Sequence, residues 1–414
     1  MNSTIQKSTT VGTPRIRLRL DANECADASF GRSSNSIGRY PTTAELEEAI
    51  AVRWRTQPDR IVVTAGADDA IDRICTAFLG SGSRVVMTDP TFCMIRRSCS
   101  RRTTDILSVP WLDDDFPVDT FIDSSRGCDL MVLVTPNNPT GSTIAYDDIE
   151  RVRNENPDPI LMVDLAYLEF ATPGSKFGRE EIVRRLRMMP RTVMVRTLSK
   201  AWGLAGLRVG WAETSPDLAR LIRDAGGPFP VSSPSIAMAT DVVCDPDSDS
   251  IVDRRVRSVA ENRDSIERGL RGQEFDPGTS SANFVLVQDS ERMGRVDRLS
   301  EGLDSLGISV RRFDEGSIRD RIRITVPAEP EHARRLCSCI DAIVDPDGLI
   351  FDLDGVLADV DGSYREAIRR TAADFGVRID DEDVDRVKDI GFANDDWEVT
   401  RRILGDRGVV VEYD

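Results

Sequence analysis

The pattern of apolar and polar positions divides the chain into three stretches. In the first, residues 44–55 (AELEEAIAVRWR) place apolar side chains at a helical period. RIVVTAGADDAIDRICTAFLG then reads as strand, glycine turn and helix. Short apolar runs follow: SRVVMTDP, DLMVLVTP, PILMVDLAY, RTVMVRTL and GLRVGWAE, separated by polar stretches. Such runs, alternating with helical segments, predict a mainly parallel sheet covered on both faces. After GGPFPVSSPS the pattern changes. Long charged helices, about 251–271, 291–306 and 330–344, alternate with SANFVLVQ, GISVRRF and RIRITVP, which predicts a smaller α+β domain. A break at VDPDG is followed by a new apolar start, LIFDLDGVLADV.

Charge narrows the function classes. The net charge is −17, from 71 acidic and 54 basic residues, a balance that repels nucleic acid and anionic membranes. Lysine occurs at Lys7, Lys176, Lys200 and Lys388; the other basic residues are arginine. Acidic excess with scarce lysine resembles proteins of salt-loving organisms. No apolar run approaches the ~18–20 residues that span a bilayer. The first residues are polar, without the apolar core of a secretion signal, so the expectation is a cytoplasmic protein with residues 1–17 as a flexible tail. The eight cysteines show no C-x-x-C spacing. Those in apolar or helical contexts (Cys75, Cys93, Cys128, Cys244) read as reduced small hydrophobes. His332 is the one histidine, which leaves little room for a Ser-His-Asp triad or a histidine zinc site.

The candidate chemistry sits where the apolar runs end. Gly66, Ala67 and Asp68 stand at a helix N-terminus, where free N–H groups attract a phosphate. TPNNPTG (residues 135–141) places Asn138 before a proline. VDLAY places Asp164 and Tyr167 just past a strand; an aspartate there needs a partner, which a protonated pyridine nitrogen, a helix cap or a structural ion pair could supply. TLSKAWGLAGLRVGW carries Lys200, with Thr197 and Ser199 before it and Arg208 after it. Lysine can lose its proton and form an imine, which arginine cannot. The ordered set is the parts list for pyridoxal phosphate.

With LDANE, RYP, TAGADDAI, DPTF, TPNNPTG, VDLAYLEF, TLSKAWGLAGLRVGW and RIRITV in this order, the chain resembles the class I/II, fold-type-I aminotransferases over roughly residues 18–345, and within them the histidinol-phosphate aminotransferase branch. The resemblance implies that Lys200 binds the cofactor covalently and shuttles the proton. It gives Asp164 to the pyridine nitrogen, and Tyr167 and Asn138 to the ring hydroxyl. Ala67, Asp68, Thr197, Ser199 and Arg208 would surround the phosphate, and Phe92 would stack on the ring. Tyr40 would reach the phosphate of the neighbouring subunit, implying a homodimer. Arg323 would grip the glutamate carboxylate and the substrate phosphate in turn, with Arg311 assisting and Asn23 lining the entrance. The chain departs from the family pattern in three places: Cys25-Ala26 follow Asn23-Glu24, Phe92 stands where tyrosine is common, and Pro327-Ala328 follow RITV. These changes put the amino donor and acceptor in question more than the cofactor.

The expected fold is α/β, of the fold type I of pyridoxal-phosphate enzymes. A large domain at about 41–235 has a mainly parallel sheet, and a small α+β domain is made from the N-terminal arm and about 236–346, within an enzyme unit of 18–346. The expected reaction is transamination with glutamate and 2-oxoglutarate, on histidinol phosphate in histidine biosynthesis. The alternatives are a decarboxylase of a phosphorylated amino acid such as phosphothreonine, a phosphatase, and a non-catalytic cofactor-binding protein. Residues 347–414 resemble the opening of a haloacid-dehalogenase-type hydrolase, with Asp352 and Asp354 as nucleophile and acid/base sharing Mg²⁺. Later motifs of that family are missing, so the segment reads as truncated and would bind Mg²⁺ only if completed.

Overall fold

The computed structural model describes residues 18–20, 40–112, 115–171, 179–289, 294–313, 316–346, 348, 361–389 and 396–411. Asn23, Asp352 and Asp354 lie outside the described residues. Chain contacts separate a unit ending at Asp345 from a second that starts at Pro346.

The first unit holds two sheets. The strands are β1 (Leu18–Leu20), β2 (Ile61–Thr64), β3 (Arg84–Asp89), β4 (Asp105–Pro110), β5 (Leu130–Val134), β6 (Ile160–Asp164), β7 (Thr192–Thr197), β8 (Gly210–Glu213), β9 (Phe275–Asp276), β10 (Phe284–Asp289), β11 (Ile308–Arg312) and β12 (Arg321–Thr325). Seven of them form the large sheet, in the order β2-β8-β7-β6-β5-β3-β4. β3 to β7 run parallel, and β8 is antiparallel to both of its neighbours. Hence β2 points the same way as β7, and the C-terminal ends of β2, β3, β5, β6 and β7 share one edge. Ligands bind at this edge in open α/β sheets.

The apolar runs explain the centre of the sheet. Every residue of β5, β6 and β7 is buried. One face is covered by a core with Ile71, Ile74 and Cys75 of the helix Ala67–Phe78, and the other by a core with Phe121, Ile149 and Leu186. Each fully buried aliphatic side chain contributes roughly 1.5–3 kcal/mol. β4 is missing from the strands expected above. It is an edge strand with alternating exposure, and its polar positions and terminal proline hide it. GLRVGWAE is strand only from Gly210, because Ala205–Leu207 form a short 3₁₀ turn and Arg208 is left-handed at φ 53°. Cys93 and Cys244 are exposed, since each sits at a helix end; Cys75 and Cys128 are buried.

The second sheet has the order β1-β11-β12-β10-β9. β1, from the N-terminal arm, pairs in parallel with β11. The helices Ser248–Gly272, Arg295–Ser305 and Pro330–Val344 accompany this sheet, and a continuous core joins it to Tyr167 and Trp202. In the unit from Pro346, the helices Asp361–Asp374, Asp381–Val387 and Asp396–Asp406 pack around Ile368, Val384, Val399 and Ile403. Among the described residues, no helix is long and apolar enough to cross a membrane.

Candidate active site

A cavity of about 210 Å³ opens at the edge where the parallel strands end. At one pole stands the N-terminus of the helix Ala67–Phe78, with Ala67 and Asp68 on the wall. The two aspartates of its first turn divide the work. Asp69 folds back to accept from the Ala65 N–H at 2.9 Å and pairs with Arg73, whereas Asp68 faces the cavity. Arg208 reaches the same pole, with Nη2 3.2 Å from the Asp68 carboxylate. Both side chains are about half exposed, so this pair adds little stability and can rearrange around an anion.

Close backbone approach builds the pole. A Cβ on Gly66, whose φ is +82°, would fall 2.6 Å from Arg208 Nη2. A Cβ on Gly210 would fall 2.6 Å from the carbonyl carbon of Gly66 and 2.7 Å from Ala67 N, both main-chain atoms that cannot move aside. Thr197 and Ser199 complete the pole from the end of β7. The Thr197 hydroxyl accepts from the Ser199 N–H at 3.1 Å, donates to Val209 O at 3.1 Å and lies 2.9 Å from Ser199 Oγ. N–H groups, two hydroxyls and a guanidinium at one pole of the cavity fit a phosphate.

Asp164 ends β6, is 3% exposed and accepts from the Ala166 N–H at 2.9 Å. Burial pushes its carboxyl up to about 6; Asp68 adds repulsion, while the Ala166 N–H and Lys200 pull the other way. A carboxylate held this way favours a cationic partner. A protonated ring nitrogen supplies one. Lys200 and Tyr167 also line the cavity, with Nζ 5.4 Å from the Tyr167 ring centre. Tyr167 packs edge-on against Phe284 at 5.1 Å, which fixes its ring. Phe92 gives an aromatic wall. Its loop is tied to TPNNPTG through Asn137, which donates to Pro90 O at 3.0 Å and accepts from Thr91 Oγ1 at 3.1 Å.

Arg323 of β12 closes the cavity from the second sheet. It is buried, donates through Nη1 to Asn138 Oδ1 at 2.6 Å and lies 5.3 Å from the Phe284 ring. Arg311 pairs in register with Arg323, so both side chains leave the same face of the sheet, but Arg311 is exposed and does not line the cavity. Tyr40 also lies outside it, 82% exposed and stacked on Phe229 at 4.6 Å.

Sequence reasoning named every lining residue but Ala166, a small residue with no chemical signature. It also passed over Asn137, although the doublet in TPNNPTG is a visible sign that one asparagine faces the cavity and the other braces the loop.

Residues 13–340 match the family of aminotransferase class I and II. The histidinol-phosphate aminotransferase of Paracoccus denitrificans is 32% identical over 306 residues, covering 72% of this chain and 80% of that protein. The histidinol-phosphate aminotransferase of Cereibacter sphaeroides is 32% identical over 334 residues, covering 78% of this chain and 90% of its own length. The crystal structure of histidinol-phosphate aminotransferase from Sinorhizobium meliloti in complex with pyridoxal-5'-phosphate is similar with a TM-score of 0.71 at 22% identity, over 83% of this chain and 98% of that one.

Proposed function

We infer the reaction from one premise: the chain belongs to the aminotransferase class I and II family. It is a pyridoxal-phosphate-dependent enzyme that takes an amino donor and a 2-oxo acid. We propose histidinol phosphate as its amino substrate and glutamate/2-oxoglutarate as the exchanging pair, placing it in histidine biosynthesis. The names of its relatives support this choice. The observation that carries the reading is one cavity with an anion pole at Arg208, a buried carboxylate at Asp164, an amine at Lys200 and a second guanidinium at Arg323.

When bound, pyridoxal phosphate supplies an electron sink that stabilises negative charge at the substrate Cα. In our reading the chain does the rest. Arg208, Thr197, Ser199 and the N–H groups at Ala67 and Asp68 hold the phosphate, while Phe92 holds the ring plane. Asp164 keeps a proton on the ring nitrogen; its buried carboxyl, high when the site lacks a cation, becomes a stable anion beside one. Tyr167 and Asn138 hold the ring hydroxyl. Lys200 attaches the cofactor and, once displaced, moves the proton at the substrate Cα. Arg323 grips an anion of the substrate, its planar fork suiting either carboxylate or phosphate. Arg311, on the same face, assists at the mouth, where Asn23 contributes from the N-terminal arm.

Exposed Tyr40 fits a role toward a second subunit, which makes the working form a homodimer. Residues 347–414 we read as the opening of a haloacid-dehalogenase-type hydrolase, on the strength of the D-x-D-G motif at Asp352 and Asp354. A phosphatase of that type acts on the kind of phosphomonoester that the aminotransferase releases. The acidic, lysine-poor composition supports a protein adapted to high salt.

Substituting Lys200→Ala tests the assignment. Turnover should fall by about 10²–10⁴-fold while the cofactor remains bound. Unchanged turnover would overturn it. Release of CO₂ without 2-oxoglutarate would replace the transaminase reading with a decarboxylase.

A further inference from the structure

The helix Ser248–Gly272 presents four polar side chains at positions 255, 258, 262 and 263, a spacing that sets them on one face. Each donates to a main-chain carbonyl elsewhere in the fold. Arg255 Nη1 donates to Ala201 O at 2.6 Å. Ser258 Oγ donates to Ala328 O at 2.6 Å. Asn262 Nδ2 lies 2.9 Å from Pro327 O and 3.0 Å from Ala328 O. Arg263 Nη1 donates to Ala282 O at 2.8 Å, just before β10. Arg255, Asn262 and Arg263 are buried.

The accepting carbonyls fall beside the two working ends of the cavity. Ala201 follows Lys200 directly, in a loop otherwise closed on itself by Gly203 N to Lys200 O and Leu204 N to Leu198 O, each at 3.0 Å. Pro327 and Ala328 lead out of the β12 strand that carries Arg323. Lys200 follows β7 of the seven-stranded sheet and Arg323 lies on β12 of the five-stranded one, so among the described residues no strand ladder sets the distance between them. The helix bridges that gap.

We propose that this helix face fixes the spacing of Lys200 and Arg323, with Arg255 positioning the lysine through the Ala201 carbonyl and Asn262 positioning the arginine through the Pro327-Ala328 turn. The inference rests on the roles given above to Lys200 and Arg323. A charged donor on a carbonyl holds a loop more firmly than a neutral one, which gives a physical reason for a buried arginine at position 255.

The test uses full-length protein loaded with pyridoxal phosphate, in wild-type form and as Arg255→Met, Arg255→Lys and Asn262→Leu. The readouts are the pH midpoint of the long-wavelength absorption band of the bound cofactor, and kcat and KM for glutamate. Arg255→Met should move the midpoint by about half a pH unit and lower kcat about tenfold with KM nearly unchanged. Arg255→Lys, which keeps a cationic donor, should recover most of both. Asn262→Leu should raise KM about tenfold and leave the midpoint in place. Wild-type values in both Arg255 variants would overturn the proposal, as would kcat and KM moving together in all three. If wild-type protein shows no long-wavelength band, the reading of Lys200 itself fails, a result distinct from a normal wild type with indifferent variants.

Discussion

At one end of the cavity, Asp164, Thr197 and Ser199 stand at strand ends of a seven-stranded sheet, and Lys200 and Arg208 in the tight turns that follow. At the other end, Arg323 comes from a five-stranded sheet with Arg311 beside it in register. The first end is built on close approach: Gly210 lets the main chain of Gly66 and Ala67 come near, and Gly66 leaves room for the Arg208 guanidinium. The second end is built on side-chain reach, where one buried guanidinium rests on Asn138 and another is exposed. On the proposed reading, the difference teaches that the cofactor end is set by the fold of the backbone, whereas the substrate end can be retuned by a few substitutions. Pro327 and Ala328, a departure from the family pattern, do not line the cavity.

This contrast can be broken at its strongest point first. Asp164→Asn should lower kcat by about 10²–10³-fold, because a neutral amide cannot hold a ring proton by charge. The same variant has a signature in the cofactor-free protein. The Asp164 carboxyl is raised from 3.8 to about 6 in the fold, so the folded state binds more protons than the unfolded state between those values. Stability should therefore fall as pH rises from about 4 to about 6, by at most about 3 kcal/mol from this group, and level off above. Urea titrations across that range should show the stability of the wild type falling relative to that of Asp164→Asn. A difference between the two proteins of the opposite sign would mean that the carboxyl is stabilised as an anion before any cofactor arrives.

The substrate end should respond differently. Arg323→Lys removes the planar fork but keeps the charge. KM for glutamate and 2-oxoglutarate should rise about 10–100-fold, the loss of a charge-assisted bidentate contact, with the cofactor spectrum unchanged. A spectral shift as large as the KM effect would dissolve the distinction between the two ends. The smallest effect is expected at the aromatic wall. Phe92→Tyr keeps the stacking face, so kcat and KM should stay within about twofold.

The same contrast explains what could be read in advance. β5, β6 and β7 were visible because strands buried on both faces are continuous apolar runs, and the cavity residues of the large sheet sit where those runs stop. β4 was not visible, because an edge strand need not be apolar and D-I-L-S-V-P is not. The 3₁₀ turn inside GLRVGWAE was hidden by its apolar composition; it is the left-handed Arg208 that breaks the strand and turns the guanidinium to the anion pole. Arg255 and Asn262 carried no local signal at all. Their partners are carbonyls 54 and 65 residues away in the chain, which no periodicity records.

The most direct measurement is a pair of half-reactions on wild-type protein with bound pyridoxal phosphate, followed by absorbance. Glutamate is added to one sample and histidinol phosphate to the other, without a 2-oxo acid. The account predicts that both donors convert the long-wavelength band to that of the amino form of the cofactor, and that 2-oxoglutarate restores it. Conversion by glutamate with no response to histidinol phosphate would contradict the proposed substrate, and no conversion by either would contradict the transaminase reading itself.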